Sequence, residues 1–381
     1  MSLVSSLVAI VPMACLPFPF ACQLRGSRCL AGCLGLLVAL AWVESPGAFA
    51  GNPTSGPANA PTNETDPYRV QPGPAAETAN APFAELAAGE RLAPPPKAID
   101  LLVVVAHPDD ESTFGALLPH YARCRDKAIV QLLMTSGEWG HGLPHHTEPD
   151  QTPDYSYDDS EQPRFEKIPP EALYPFFYRE GELRRMLRIS GVAYEPIFLR
   201  LPDSSSLQPW GEPTAAFELW GGKDRVVGRI VGVIRRLRPK VVVTMAYDGY
   251  NGNPQHMAAS HGTIAAVEAA AEADRYPASA AEHGPYTVQK LYLAVTEGQP
   301  LSSADEAVVH HHVWTPCDDG EGRPVDVRAI AARANAEHQS QGMKNECPAA
   351  TDFVLKLSTV GPDRLGENDL FENVADRPAE E

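Results

Sequence analysis

Cysteine and basic charge are both in short supply in this chain. Seven cysteines occur in 381 residues; Cys15, Cys22, Cys29 and Cys33 fall in the first fifty, leaving Cys124, Cys317 and Cys347. No zinc-knuckle spacing exists among them, and an odd number cannot all pair. In an oxidising compartment one bridge can form, Cys317 with Cys347 in the tail being a candidate pairing that the sequence leaves open. Lys and Arg total 31 against 49 Asp and Glu, a net charge of -18. Such a chain repels polyanions, so neither nucleic acid nor a membrane surface is an expected partner, whereas a neutral or cationic small molecule or glycan is. An apolar run long enough for a bilayer is lacking too. The stretch Leu30–Val43 falls short of the ~20 residues a span requires. Arg25 and Arg28 precede it and Ala48-Phe49-Ala50 follows as a small-residue cleavage site, so residues 1–50 read as a secretory signal peptide. An uncleaved anchor, or lipoprotein processing at Leu30-Ala31-Gly32-Cys33, is the alternative. The expected location is therefore exported, periplasmic or extracellular.

The length suffices for one large domain with extensions or for two modest ones. Residues 51–97, dominated by Pro, Ala, Gly, Asn and Thr without apolar periodicity, read as a disordered leader. From Ala98 short apolar runs alternate with helical stretches. Strands are expected at Leu101–Ala106, Ile129–Met134, Pro196–Leu201, Lys240–Met245 and Val288–Ala294. Helices are expected at Ser112–Arg123, Arg179–Ser190, Asp224–Leu237 and Gln255–Ala271. Strands of Val, Ile and Leu without alternation are buried on both faces, and intervening helices imply right-handed crossovers. The expected fold is a Rossmann-like α/β domain, a mostly parallel sheet with helices on both faces, covering residues 98–345. Residues 140–175 interrupt it as a long acidic insertion, in which His141, His145 and His146 read as solvated loop. His310-His311-His312 reads as surface sequence, and residues 346–381 as a C-terminal extension.

The chemistry gathers where strands end, which in such sheets is where ligands bind. His107-Pro108-Asp109-Asp110-Glu111 follows the first strand and sets an imidazole beside three carboxylates. A catalytic metal site takes three ligands from His and carboxylate and keeps one position open. His107 and Asp110 are the expected ligands and Asp109 the base, because a ligated carboxylate loses basicity and a free one beside it does not. His256 in Asn253-Pro254-Gln255-His256 is the expected third ligand; alone, it would read as a histidine at a helix start. His261, five residues on, is turned roughly 140° away on a helix. Arg179 reads either as an anchor for a substrate hydroxyl or phosphate or as a partner of Glu182. Asp203 reads as an orienting group for a ligand histidine, as a sugar contact, or as a turn former. Glu111 suits the first turn of a helix, and Trp139, Trp210 and Trp220 suit either sugar stacking or packing.

Ala106-His107-Pro108-Asp109-Asp110-Glu111 resembles the signature of the LmbE/PIG-L family of metal-dependent N-deacetylases. Thr135-Ser136-Gly137-Glu138, Arg179 with Glu182, Leu201-Pro202-Asp203, Asn253-Pro254-Gln255-His256 and His338-Gln339-Ser340-Gln341 follow in the family's order. The resemblance implies an LmbE-like fold and zinc, or another divalent metal, held by His107, Asp110 and His256. It implies Asp109 as activator of water and removal of an acetyl or other acyl group from an N-acyl amino sugar. Many bacterial members carry His where this chain has Asn253. Asn253 can still donate a hydrogen bond to an oxyanion but cannot deliver a proton, a role left to Tyr250, Tyr247 or Asp109. An amidase of a non-sugar N-acyl compound and a non-catalytic glycan-binding protein of the same fold are the alternatives.

Overall fold

The structure, a computed structural model, describes residues 91–140, 170–296, 309–318, 320, 322–361 and 369–375. The expected signal peptide, most of the leader, and the bulk of the insertion with His141, His145 and His146 lie outside the described residues. The chain runs β1 (Leu101–Val105), a broken helical segment (Asp110–Cys124), β2 (Ile129–Leu133), α1 (Pro170–Ser190), β3 (Ile197–Phe198), α2 (Thr214–Leu219), α3 (Lys223–Leu237) and β4 (Val241–Met245). It continues through α4 (Pro254–Ala270), α5 (Pro277–His283), β5 (Lys290–Thr296), β6 (Val309–Val313), β7 (Cys317–Asp318), β8 (Pro324–Val325), α6 (Val327–Asn335) and β9 (Ala350–Ser358).

β1, β2 and β4, built mostly from Val, Leu and Ile with Gln131 and Thr244 as buried polar members, are buried at every position, as strands covered on both faces must be. The seven-stranded sheet has the order β3-β2-β1-β4-β5-β9-β6. Pairing is parallel from β3 through β5, and β9 lies antiparallel to both of its neighbours. From β1 the chain steps outward to β2 and β3, then returns to the other side of β1 with β4. That reversal opens a crevice beyond the carboxyl ends of β1 and β4, the usual ligand position in open α/β sheets. α3 covers the sheet with Val226, Ile230, Val233, Ile234 and Leu237 buried at helical spacing.

Several expectations are corrected. The helix expected at Ser112–Arg123 is broken into a 3-10 turn, a short α turn and a π turn. Gly115 sits at φ 63 where any Cβ would strike Trp314 and Thr351, so the chain must bend there. The third strand is only two residues long because Arg200 takes φ 50 just after it. The extension expected from 346 contains β9, which fills the sheet between β5 and β6, so the domain reaches past 345. The leader ends before 97: Leu92 N–H donates to Glu195 Oε2 (2.9 Å) and Ala93 bridges Tyr194. His310 and His312 are buried, and only His311 is exposed, paired with Asp352 at 2.7 Å; the alternation of β6 turns every second residue inward. The disulfide joins Cys124 to Cys317, and Cys347 is free.

Candidate active site

His107 leaves the end of β1 and His256 lies in the first turn of α4, which follows β4, so the reversal of strand order brings them together. Among the described residues, His107, Asp110 and His256 form one group whose ligand atoms all lie within 4.8 Å of one another. His107 Nδ1 stands 3.2 Å from His256 Nε2 and 3.4 Å from Asp110 Oδ2, and His256 Nε2 is 3.3 Å from Asp110 Oδ1. A tetrahedral cation with metal–ligand bonds of about 2.0–2.1 Å sets its ligands about 3.3 Å apart. The second nitrogen of each ring is already committed. His107 Nε2 faces only acceptors, Asp203 Oδ1 at 3.2 Å and Gln255 Oε1 at 3.1 Å, and His256 Nδ1 faces Gly249 O at 3.2 Å. Both therefore carry hydrogen, and the facing nitrogens present lone pairs, the donor set a divalent metal takes. Asp110 Oδ2 is held by the N–H groups of Ala106 (3.0 Å) and His107 (2.7 Å).

The electrostatics agree with that geometry. Burial opposes charge on His107, but the Asp203 and Asp110 carboxylates outweigh it and hold its pKa well above the usual value. Burial likewise opposes ionisation of Asp110, yet His256, His107 and the backbone donors keep it well below the carboxylate range. His256 runs the other way: burial, with His107 beside it, outweighs the Asp110 carboxylate and lowers its pKa, which keeps that ring neutral and its lone pair available.

Asp109 stands beside the group at φ 132, a conformation costly for any residue but glycine. Arg179 Nη2 reaches its Oδ1 at 2.6 Å and also donates to Pro108 O, while Nη1 donates to Gly137 O at 2.9 Å. Burial raises the Asp109 pKa despite Arg179, with the neighbouring Asp110 charge adding to it. Glu111, expected to serve a helix dipole, is instead a buried hub. Its Oε2 accepts from Asp109 N (3.2 Å) and Gln131 Nε2 (2.9 Å), and its Oε1 from His338 Nε2 (2.6 Å).

Other expected residues fall differently. Arg179 does not pair with Glu182 and is too buried, at 2% exposure, to anchor a substrate; Glu182 accepts from Ser340 N and Oγ instead. Asp203 is buried against His107, its Oδ1 3.2 Å from His107 Nε2, with Trp139 N on its Oδ2 at 3.0 Å, the placement expected of an orienting group. Asn253 spends its side-chain oxygen capping α4, accepting from Gln255 N at 2.8 Å. The Tyr250 hydroxyl meets Thr113 Oγ1, its ring edge-on to His256 at 6.3 Å, and burial raises its pKa well above the usual value. Trp220 is buried, donating to Pro202 O at 2.8 Å, whereas Trp210 is half exposed.

The family profile described as "PIG-L: GlcNAc-PI de-N-acetylase" matches residues 102–267. A Streptomyces avermitilis protein named 1D-myo-inositol 2-acetamido-2-deoxy-alpha-D-glucopyranoside deacetylase is 32% identical over 72% of this chain and 97% of its own length. The chain belongs to the PIG-L family. A second PIG-L relative of the same name, from Rhodococcus erythropolis, is 32% identical over 69% of this chain and 87% of itself. One from Kineococcus radiotolerans matches at 32% over 58% of each chain. Among solved structures, N,N'-diacetylchitobiose deacetylase from Pyrococcus horikoshii is 16% identical, covering 64% of this chain and 70% of that one with a TM-score of 0.41.

As a PIG-L protein the chain is a hydrolase of the N-deacetylase class. Gln255, Glu138 and Gln131 are the site residues that sequence reasoning gave no role. Glu138 Oε1 accepts from Asp203 N at 2.8 Å, and burial followed by the Asp203 charge pushes its pKa up to about 8. Their signal in the sequence was position alone: Glu138 sits in the loop after β2, Gln255 in the first turn of the helix that follows β4, and Gln131 is a polar residue in an otherwise apolar strand.

Proposed function

We propose that the chain is an exported zinc-dependent enzyme that removes the acetyl group from an N-acetyl amino sugar. The observation that carries this reading is the convergence of His107 Nδ1, His256 Nε2 and Asp110, with the Asp109 carboxylate, outside that group and paired with Arg179, in the same segment. The relatives' names supply the substrate class. His107, Asp110 and His256 would hold the zinc, which when bound polarises an amide carbonyl and acidifies water. Asp109 is placed to accept a proton from an attacking water. Its raised pKa makes it a stronger base than a solvated Asp, and Arg179 holds the carboxylate in one orientation. Asp203 and Gln255 keep the His107 ring turned so that Nδ1 faces the site. Asn253 favours a second reading, a glycan-binding protein that has lost turnover, since an amide carries no transferable proton.

Metal analysis with acetate release from a panel of N-acetylated sugars, and Asp109→Asn as control, separates the two. Turnover that falls about 10²- to 10⁴-fold in Asp109→Asn is expected for a general base; turnover that survives the change overturns the assignment. Bound zinc with no release from any amide favours the binding protein. Mass spectrometry of the exported chain should find it cut after Ala50.

A further inference from the structure

We propose that His338 is a positioning residue for Asp109, acting through Glu111 from 227 positions away in the chain. The inference rests on the reading of Asp109 as the base. Asp109 occupies a backbone conformation that surrounding structure must enforce, φ 132. Two side chains do so, Arg179 on its carboxylate (2.6 Å) and Glu111 Oε2 on its N–H (3.2 Å), while its carbonyl accepts from Ser112 N (3.0 Å). Glu111 can hold that N–H only if its own carboxylate is fixed. Its side chain is 1% exposed and that of His338 0%, so the carboxylate depends on the protein for its donors. Asp109 N and Gln131 Nε2 share one oxygen, and among the described residues His338 Nε2 alone donates to the other, at 2.6 Å.

The ring is specialised for this contact. His338 Nδ1 is buried without a hydrogen-bond partner, so Nε2 is its one directed polar contact. The segment bearing it is pinned to α1, with Ser340 N at 2.7 Å from Glu182 Oε1 and Ser340 Oγ at 2.6 Å from Oε2. Arg179 projects from the same helix. Both anchors of Asp109 thus trace to one frame, α1 and the turn after α6, with Glu111 as the intermediary.

Two amides discriminate positioning from mere packing. Glutamine places its NH2 near the Nε2 position and asparagine falls short of it. In zinc-loaded enzyme His338→Gln should retain kcat, while His338→Asn should lose about 10- to 100-fold in kcat, the cost of misplacing a reacting group by about 1 Å. KM and bound zinc should be unchanged in both. Crystal structures should show Asp109 leaving positive φ in His338→Asn alone. Equal kcat in the two variants, or loss confined to zinc content, overturns the inference while Asp109→Asn still tests the base itself. If wild-type enzyme hydrolyses no amide, the reading of function fails, and the position of Asp109 in the two variant structures still decides the inference.

Discussion

His120 is the group whose burial should be most directly measurable. Its ring is 8% exposed and packs against Tyr121, His312 and Trp314 at 4.9, 5.1 and 5.7 Å between centroids, and neither ring nitrogen has a hydrogen-bond partner. Burial, with the Arg125 charge in support and Asp369 opposing, pushes its pKa from 6.5 down to about 4. A depressed histidine makes the unfolded chain the better proton binder between those values, so stability is complete above pH 6.5 and drains as pH falls toward 4. At about 1.4 kcal/mol per pH unit the gap amounts to about 3 kcal/mol. His120→Phe keeps an aromatic ring among aromatic neighbours and removes the titration. Urea unfolding at fixed ionic strength from pH 4 to pH 8 should show the variant gaining on wild type by that amount as pH falls, with a constant difference above pH 7. The contribution of the metal site cancels in the comparison. His312, pushed by burial and then by His120 to about 3, leaves the variant some acid sensitivity of its own. Parallel curves over the whole range would refute the argument.

Asp203→Asn should weaken zinc affinity about 10- to 100-fold, as loss of a carboxylate behind a ligand histidine does, read by competition with a chromogenic chelator. Cys124→Ser opens a bridge between residues 193 apart in sequence and should cost about 2–5 kcal/mol; a chain lacking residues 1–50, unfolded without reductant, should titrate one thiol, Cys347. Glu138, raised by burial and Asp203 from 4.5 to about 8, keeps a proton that the unfolded chain sheds above pH 4.5. It therefore subtracts stability as pH climbs through that window, and Glu138→Gln should gain on wild type from pH 5 to pH 8 in the same unfolding assay.

The centre of the fold was legible because β1 is an unbroken aliphatic run and β2 and β4 are mostly aliphatic, interrupted only by Gln131 and by Thr244 and Met245, and such runs have few alternative uses. The convergence of His107, Asp110 and His256 was legible because two of them share one short segment and the third follows another strand end. What escaped depends on distance in sequence. β9 is amphipathic and lies beyond the last expected strand, so only its pairing with β5 and β6 reveals it. The same holds for Cys124 with Cys317, and for Glu111 with His338: nothing within several residues of either partner encodes the other. Arg179 and Asp203 had the right neighbourhood, but a sequence cannot say whether a side chain faces the crevice or the wall behind it.

The wall behind the crevice also bears on the fate of the proton in the proposed reaction. Asn253 has none to give. Tyr247 lies against His261, with ring centroids 4.0 Å apart, and under Lys356. Thr113 has a single hydroxyl proton, and Asp110 O at 2.6 Å can only accept it. In its contact with Thr113, Tyr250 must therefore be the donor, and its proton is committed to that oxygen. Burial, with the Asp110 and Glu111 carboxylates nearby, keeps the proton on the phenol. Among these candidates Asp109 is then the group that can both receive a proton and return it to the departing amine. Tyr250→Phe should leave kcat near the wild-type value, whereas Asp109→Asn removes both steps at once. If Tyr250→Phe costs as much as Asp109→Asn in acetate-release assays, the two roles belong to two residues and the proton path through a single carboxylate is wrong.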